Sequence, residues 1–213
     1  MGLPIDQLIC ASNSNNVLTD FIREGIYDRN RAFYNTMSPS MDILISSNLE
    51  RLLYSLTQDT AEVRRYMAQL AETGRYQVSD RVKTRLQRQF KGYFCDDRET
   101  QRMIRAMFDR YGYLIDTHTA VAFSALGQYR QETGDDTPAI VASTASPFKF
   151  CASVLEALGD FTPVSGLDAL DRLSARTGQP VPAPLAGLRD KAVRFTQVVE
   201  KDHMLDAVRS LLE

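Results

Sequence analysis

Lysine, histidine and cysteine are all scarce in these 213 residues, and each shortage closes off a class of chemistry. The cysteines, Cys10, Cys95 and Cys151, are scattered, with no C-x-x-C spacing. They exclude a disulfide framework and a zinc site, and they suit a reducing, cytoplasmic setting. No apolar run approaches the length of a membrane span, and no basic stretch followed by an apolar core opens the chain. Positive charge has no surplus either: 25 Lys and Arg stand against 27 Asp and Glu, for a net charge of −2. A pI near 5.8 offers no basic field to nucleic acid or to an anionic membrane. The cluster Arg81, Lys83, Arg85, Arg88 and Lys91 reads as the solvated face of a helix. There is no glycine-rich phosphate loop, no Ser/His/Asp order and no metal-ligand spacing. The residues alone therefore assign no catalytic group and no metal.

What is present is an ordinary globular composition, 44% hydrophobic and 24% charged, long enough for one sizeable domain with or without an appendage. Leu8–Ser12 reads as a buried strand. The stretch that follows, through Met37, has turn residues and no clean period, and reads as a long ordered connection. Helices are expected over 60–72, stopped by Gly74, and from Ser79 to Lys91, stopped by Gly92. A further helix opens at the capping-box spacing Asp96-x-x-Glu99 and ends at Gly112. Another starts from a cap at Asp116 or Thr117 and ends at Gly134. Ala139–Ala142 reads as a buried strand, Ser146 as a cap and Pro147 as the first residue of a helix that buries Phe150, Cys151, Val154, Leu155 and Leu158. From residue 161 the chain reads as loop-rich, closing with an amphipathic helix near 202–212. Helices with a few buried strands make the class α/β.

Polar clusters interrupt this pattern in three places. In "SPSMDILISSNLERLLYSL", residues 38–56, Ser46, Ser47 and Asn48 fall where an apolar stripe should run. Burying that amide in one continuous helix would cost a few kcal/mol. The spacing Ser47-x-x-Glu50 instead predicts a helix that begins at Ser47 and leaves Met41–Ile45 extended; its first turn is either a simple cap with no ligand or a set of free amides aimed at an anion. Ser143-Thr144-Ala145-Ser146 joins the end of the expected strand to a helix start, the place where open α/β sheets bind ligands. Its hydroxyls serve a ligand or simply fix the loop. Asp116-Thr117-His118-Thr119 crowds a histidine with hydroxyls and a carboxylate, a setting for a base, a phosphate ligand or a structural histidine.

The stretches "TDFIREGIYDRNRAFYNTMSPSMDILISSNLERLLY", "GYLIDTHTAVA" and "STASPFKF" resemble threonine synthase of the bacterial and fungal type. The resemblance implies the pyridoxal 5'-phosphate enzyme fold shared with the tryptophan synthase β-subunit, fold type II. It implies conversion of O-phospho-L-homoserine and water into L-threonine and phosphate, in threonine biosynthesis. The helix-rich chain resembles the C-terminal half of such an enzyme. Residues 1–58 then correspond to a strand and the substrate-cleft segment, 59–95 to a helical insertion, 96–160 to the end of the cofactor domain and 161–213 to a tail with a terminal helix. Cofactor binding falls to Thr144, facing the pyridine nitrogen, with Ser143 beside it. Substrate binding falls to Ser46, Ser47, Asn48 and His118. Ser146 stands where many members have histidine, and Thr117 where proline is commoner.

The family's Schiff-base lysine and phosphate loop lie upstream of the matching stretches. None of Lys83, Lys91, Lys149, Lys191 and Lys201 has that lysine's surroundings. The resemblance therefore implies a chain that does not bind cofactor or turn over substrate alone. Its partners would be the missing N-terminal half and a phosphorylated amino acid, with self-association of the exposed surfaces. Two other readings remain open: a non-catalytic interaction module, and a phospholyase for another phosphorylated substrate.

Overall fold

The computed structural model describes residues 3–194 and 196–212. They fall into two compact units, one ending at Gln179 and one starting at Pro180. In the first, strand β1 (Leu8–Ser12) forms, but it is not the buried strand expected, since Leu8 is exposed and only Ser12 is buried. It runs parallel to β4 (Phe90–Phe94), with Leu8 opposite Phe90 and Ser12 opposite Phe94. The stretch after β1 is not a bare connection. It forms α1 (Val17–Glu24), closed by Gly25 at φ 76°, and the short strand β2 (Ile26–Asp28). Val17, Phe21 and Ile22 are buried, the face that repeats each turn in so short a helix.

β2 pairs antiparallel with β3 (Arg75–Gln77), which sets Tyr27 opposite Tyr76. Their rings stack at 5.3 Å, and Tyr66 stacks on Tyr76 at 5.3 Å as well. This aromatic pile, with Phe21, Leu53, Val82 and Leu86, is the main core. Around it stand α2 (Leu49–Thr57), α3 (Thr60–Thr73) and α4 (Asp80–Gln89). Asp59 and Ser79 cap α3 and α4 through their side chains, and Gly74 ends α3 in the left-handed conformation. The basic side chains of α4 lie towards the surface, where Arg81 pairs with Glu62 at 3.0 Å and Arg85 donates to the Leu56 carbonyl.

Gly92 does not stop α4. The helix passes into β4 at Phe90, and Gly92 lies inside that strand. A Cβ there would lie 2.9 Å from the Cα of Thr19, so glycine is what lets α1 cross the sheet closely.

α5 (Asp97–Tyr111) and α6 (Thr117–Thr133) begin and end where expected, capped by Asp96 and Asp116 and closed by Gly112 and Gly134. The strand expected at 139–142 does not form. These residues lie outside any β pairing, and Ile140 is 100% exposed. A strand needs a ladder, and among the described residues no other strand pairs with this segment. Ser146 does cap: its Oγ accepts from the Phe148 N–H at 3.3 Å, ahead of a single 3-10 turn, Pro147–Lys149. α7 (Cys151–Ala157) then buries Cys151, Val154 and Leu155, with Leu158 just beyond it.

The region after 161 also holds a helix that the loop-rich reading lacks, α8 (Asp168–Thr177). It buries Ala169, Leu170 and Leu173, and Arg172 clamps Asp160 at 2.7 Å. The second unit contains α9 (Ala183–Ala186) and α10 (Met204–Ser210), the latter within the expected 202–212. Among the described residues no helix is long and apolar enough to cross a membrane.

Candidate functional site

The site is built at the start of α6. Asp116, 0% exposed, accepts from the backbone N–H groups of His118 (2.8 Å) and Thr119 (3.3 Å) through Oδ1, the geometry of a helix cap. The same carboxylate takes up the two side chains that it caps. Nδ1 of His118 lies 3.2 Å from Oδ1, and the Thr119 hydroxyl donates to Oδ2. His118 packs its ring 4.8 Å from that of Phe150, and its Nε2 accepts from the Ser40 N–H at 3.2 Å. An imidazole that accepts at Nε2 carries its proton on Nδ1, so the Nδ1–H points at Asp116. Both ring nitrogens are thus committed inside the protein.

Thr119 leads on to the hydroxyl loop. Its Oγ1 lies 3.2 Å from the Ser143 Oγ, and Thr144 follows as an exposed residue. Ser143 and Thr144 therefore stand on a loop anchored at one end by Thr119 and at the other by the Ser146 cap. Cys151, a few residues past this loop, is buried. Desolvation pushes its thiol up to about 11, which removes it as a nucleophile at neutral pH.

A second polar assembly lies beside the first, on the loop of residues 34–42. The half-buried Asp42 carboxylate accepts from Asn13 (2.7 Å), Asn15 (3.0 Å), the Thr36 hydroxyl (2.7 Å) and the Thr36 N–H (3.0 Å). Asn13 also donates to Ser38, which is fully buried, and Asn15 bridges Tyr34 through both its amide oxygen and its nitrogen. From sequence, Asn13–Asn16 reads only as a polar stretch, and this clamp escapes notice. The available signal is the run of asparagines directly after a strand, together with an aspartate inside an otherwise apolar segment.

The break expected near Ser47 is real, but its cap is not. Residues 41–56 are not one helix: a 3-10 turn (Pro39–Met41) is followed by irregular chain, and α2 starts at Leu49. Of the segment expected to be extended, Met41 ends the 3-10 turn and residues 42–45 are irregular, pairing with no strand among the described residues. Asn48 occupies the cap position with helical angles (φ −77°, ψ −16°) and makes no side-chain cap bond. Ser46 is held through its backbone, whose N–H donates to the Tyr27 hydroxyl oxygen at 2.9 Å. Ser47 and Asn48 are exposed. Hydrogen bonds join the two assemblies through His118 and Ser40, rather than through this turn.

Two hollows in the surface lie elsewhere. One of about 490 Å³ is lined by Asn30, Gln69, Thr73, Arg75, Tyr76 and Gln77. One of about 300 Å³ lies beside Arg23, Lys91, Tyr93 and Glu132. Among the described residues no group of His, Cys, Asp and Glu is placed to hold a metal ion.

The family model for the threonine synthase C-terminal region matches residues 119–211, starting within the site at Thr119. The chain is similar in sequence and fold to the C-terminal part of threonine synthases. Threonine synthase of Eremothecium gossypii is 32% identical over 228 positions, covering 100% of this chain and 42% of its own length. Threonine synthase-like 1 of Macaca fascicularis is 40% identical over 160 residues, covering 74% of this chain and 21% of its own. The crystal structure of pyridoxal-phosphate-bound threonine synthase from Brucella melitensis superposes with a TM-score of 0.81 at 32% identity, covering 99% of this chain and 41% of that one. The fold is therefore that of the type II pyridoxal phosphate enzymes. The chain spans less than half the length of these relatives.

Proposed function

We propose that this chain is the C-terminal portion of a cytoplasmic threonine synthase, which converts O-phospho-L-homoserine and water into L-threonine and phosphate. The observation that carries the proposal is the Ser143–Thr144 pair. It is exposed on a loop that is fixed at both ends, within the stretch matched by the family.

These residues fit one edge of pyridoxal phosphate. A threonine hydroxyl can donate to a pyridine nitrogen and, being neutral, does not hold a proton there as a carboxylate would. When bound, the cofactor supplies the electron sink for chemistry at the substrate's carbon skeleton. Thr144 orients the ring by its nitrogen edge, and Ser143 steadies Thr144. On the substrate side, Ser46, Ser47 and Asn48 offer hydroxyls and an amide to the phosphate or carboxylate. His118 contributes by holding Ser40 in place, since neither ring nitrogen is left for substrate. The reactive lysine and phosphate cradle come from the N-terminal half, the proposed partner. In this chain Lys91 already donates to the Gln87 carbonyl at 3.2 Å, and the Lys83 stem packs against Gly25. Within this reading residues 1–58 and 96–160 carry the site, 59–95 is an insertion and 161–213 a tail.

A second reading, a phospholyase acting on another phosphorylated substrate, is favoured by the 40% identity to a threonine synthase-like 1 protein. Turnover of phosphohomoserine against other phosphorylated hydroxy amino acids separates the two.

The test of the site is Thr144→Val in an enzyme assembled from this chain and an N-terminal half. Loss of one buried hydrogen bond of roughly 1–3 kcal/mol, felt at the transition state, lowers the rate by about one to two decades. An altered cofactor absorption band accompanies the loss. Unchanged kinetics and spectrum would remove Thr144 from the site. The chain alone, incubated with cofactor and then reduced with borohydride, should show no pyridoxyl-lysine by mass spectrometry. Stoichiometric labelling of one lysine with turnover would overturn the proposed division between halves.

A further inference from the structure

Asp116 does more than a cap requires. A cap needs one oxygen, and Oδ1 fills that role for two backbone N–H groups. The carboxylate is fully buried, and it also binds the side chains of His118 and Thr119. Each of those side chains reaches out to a different segment: His118 to Ser40, Thr119 to Ser143.

The protons in this assembly follow from simple counting. Thr119 has one hydroxyl proton, and the carboxylate is an acceptor only. The same Thr119 hydroxyl is the donor in the 3.2 Å contact to the Ser143 oxygen, so its one proton lies between the Asp116 carboxylate and Ser143. Ser143, the acceptor of that bond, keeps its own proton. Thr144, exposed and outside this chain of bonds, keeps its proton to donate. On the other branch, Asp116 holds the His118 proton on Nδ1, and that leaves Nε2 as the acceptor that Ser40 requires.

We propose that Asp116 is a positioning residue that sets both walls of the site at once, the Ser143–Thr144 loop through Thr119 and the Ser38–Asp42 loop through His118. Its consequence for catalysis rests on the reading of Thr144 given above; the coupling itself does not.

The experiment uses the full chain, labelled for NMR. Asp116→Ser keeps a good cap but is too short to reach His118 and Thr119 together. It should move the amide signals of residues 143–145 and speed exchange of the Ser40 amide about ten-fold, the loss expected for one buried hydrogen bond. Thr119→Val should move only the 143–145 signals, with Ser40 exchange held within about two-fold. His118→Ala should speed only Ser40 exchange, and His118→Gln, which offers an acceptor at a similar reach, should restore it. If Asp116→Ser leaves either segment unchanged, the proposal fails. It fails equally if Thr119→Val and His118→Ala each disturb both segments, since that is what general loosening of α6 does. These single-branch variants decide the matter even if Asp116→Ser does not fold. In the assembled enzyme, Thr119→Val should lower kcat and shift the cofactor band, whereas His118→Ala should raise KM. If the NMR pattern holds while those kinetics stay unchanged, the cofactor-facing role of the loop is wrong and the coupling stands.

Discussion

Residues 34–42 and 137–146 are both irregular segments beside the start of α6, and they are held in opposite ways. The first is tied down by side chains: Asp42, Asn13, Asn15 and Thr36 close a network around the buried Ser38. The second has little of this. Asp135 accepts from the Thr137 N–H at 2.9 Å and the Tyr129 hydroxyl at 2.6 Å at its root, and Thr119 touches Ser143 near its end. Between these points lies an unpaired run with Ile140 wholly exposed. A loop whose polar groups are met by its own side chains is ordered by the chain that carries it. An unpaired apolar run is ordered only when a sheet edge and a cover are brought to it. The first loop is thus held by this chain's own side chains, while the second leaves an isoleucine uncovered.

The largest effect that tests this contrast is expected at Asp42. Asp42→Ala removes the acceptor of the hydrogen bonds from Asn13, Asn15 and both donors of Thr36. Hydrogen bonds to a charged group are each worth roughly 1.5–3 kcal/mol, so the loss should be about 3 kcal/mol or more. Denaturant unfolding measures it. A change below about 1 kcal/mol would show that the loop is held by something other than its clamp.

The same contrast explains what can be read from sequence. Asp96, Asp116, Ser146, Gly74, Gly112 and Gly134 are legible because caps and stops depend on residues a few positions apart. Gly92 reads wrongly as a stop because its reason lies far along the chain, in the close approach of Thr19. The tyrosine stack that recruits β2 and β3 is equally nonlocal. Leu8–Ser12 and Ala139–Ala142 are both short and mostly apolar, and periodicity cannot tell them apart. Only the first finds a parallel neighbour, in β4. In the site, Ser143 and Thr144 are legible as hydroxyls at a helix entrance. The partners that orient them, Thr119 and Asp116, require the third dimension.

An intermediate effect is expected at Asp135, the root of the open segment. Hydrogen bonds from Thr137 and Tyr129 hold its carboxyl down at about 2. A folded value below the unfolded one of about 3.9 means that its contribution is present at neutral pH and lost as the pH falls from about 4 towards 2. Exchange of the Thr137 amide should speed up over that window, while the amides of the 34–42 loop stay protected. Asp135→Asn should abolish the pH response. If both segments loosened together, they would be one cooperative unit and the contrast would collapse.

A smaller effect is expected at Ser47. The residue is exposed and α2 begins at Leu49 without a side-chain cap, so Ser47→Ala should change stability by no more than about 0.5 kcal/mol. A loss of about 1 kcal/mol, the usual worth of a cap, would place the helix start at Ser47 after all. In the assembled enzyme the same substitution reads the other role: weaker binding of phosphohomoserine with unchanged stability would mark Ser47 as a ligand contact.

The smallest effect is expected at Ile140, where the contrast is sharpest. An isoleucine that is 100% exposed in the folded chain gives up no packing when it is removed, so Ile140→Ser should leave the unfolding midpoint of the dilute chain where it was. The side chain nonetheless lies on an unpaired segment, and such surfaces associate. At high concentration the parent chain should therefore show a rise in apparent mass by light scattering that Ile140→Ser reduces. In an enzyme assembled with an N-terminal half the same substitution should cost stability where that half covers this segment, since full burial of an isoleucine is worth roughly 1.5–3 kcal/mol. A destabilised dilute chain would mean that Ile140 is already covered within it. An assembled enzyme indifferent to the change would mean that an N-terminal half does not cover this segment.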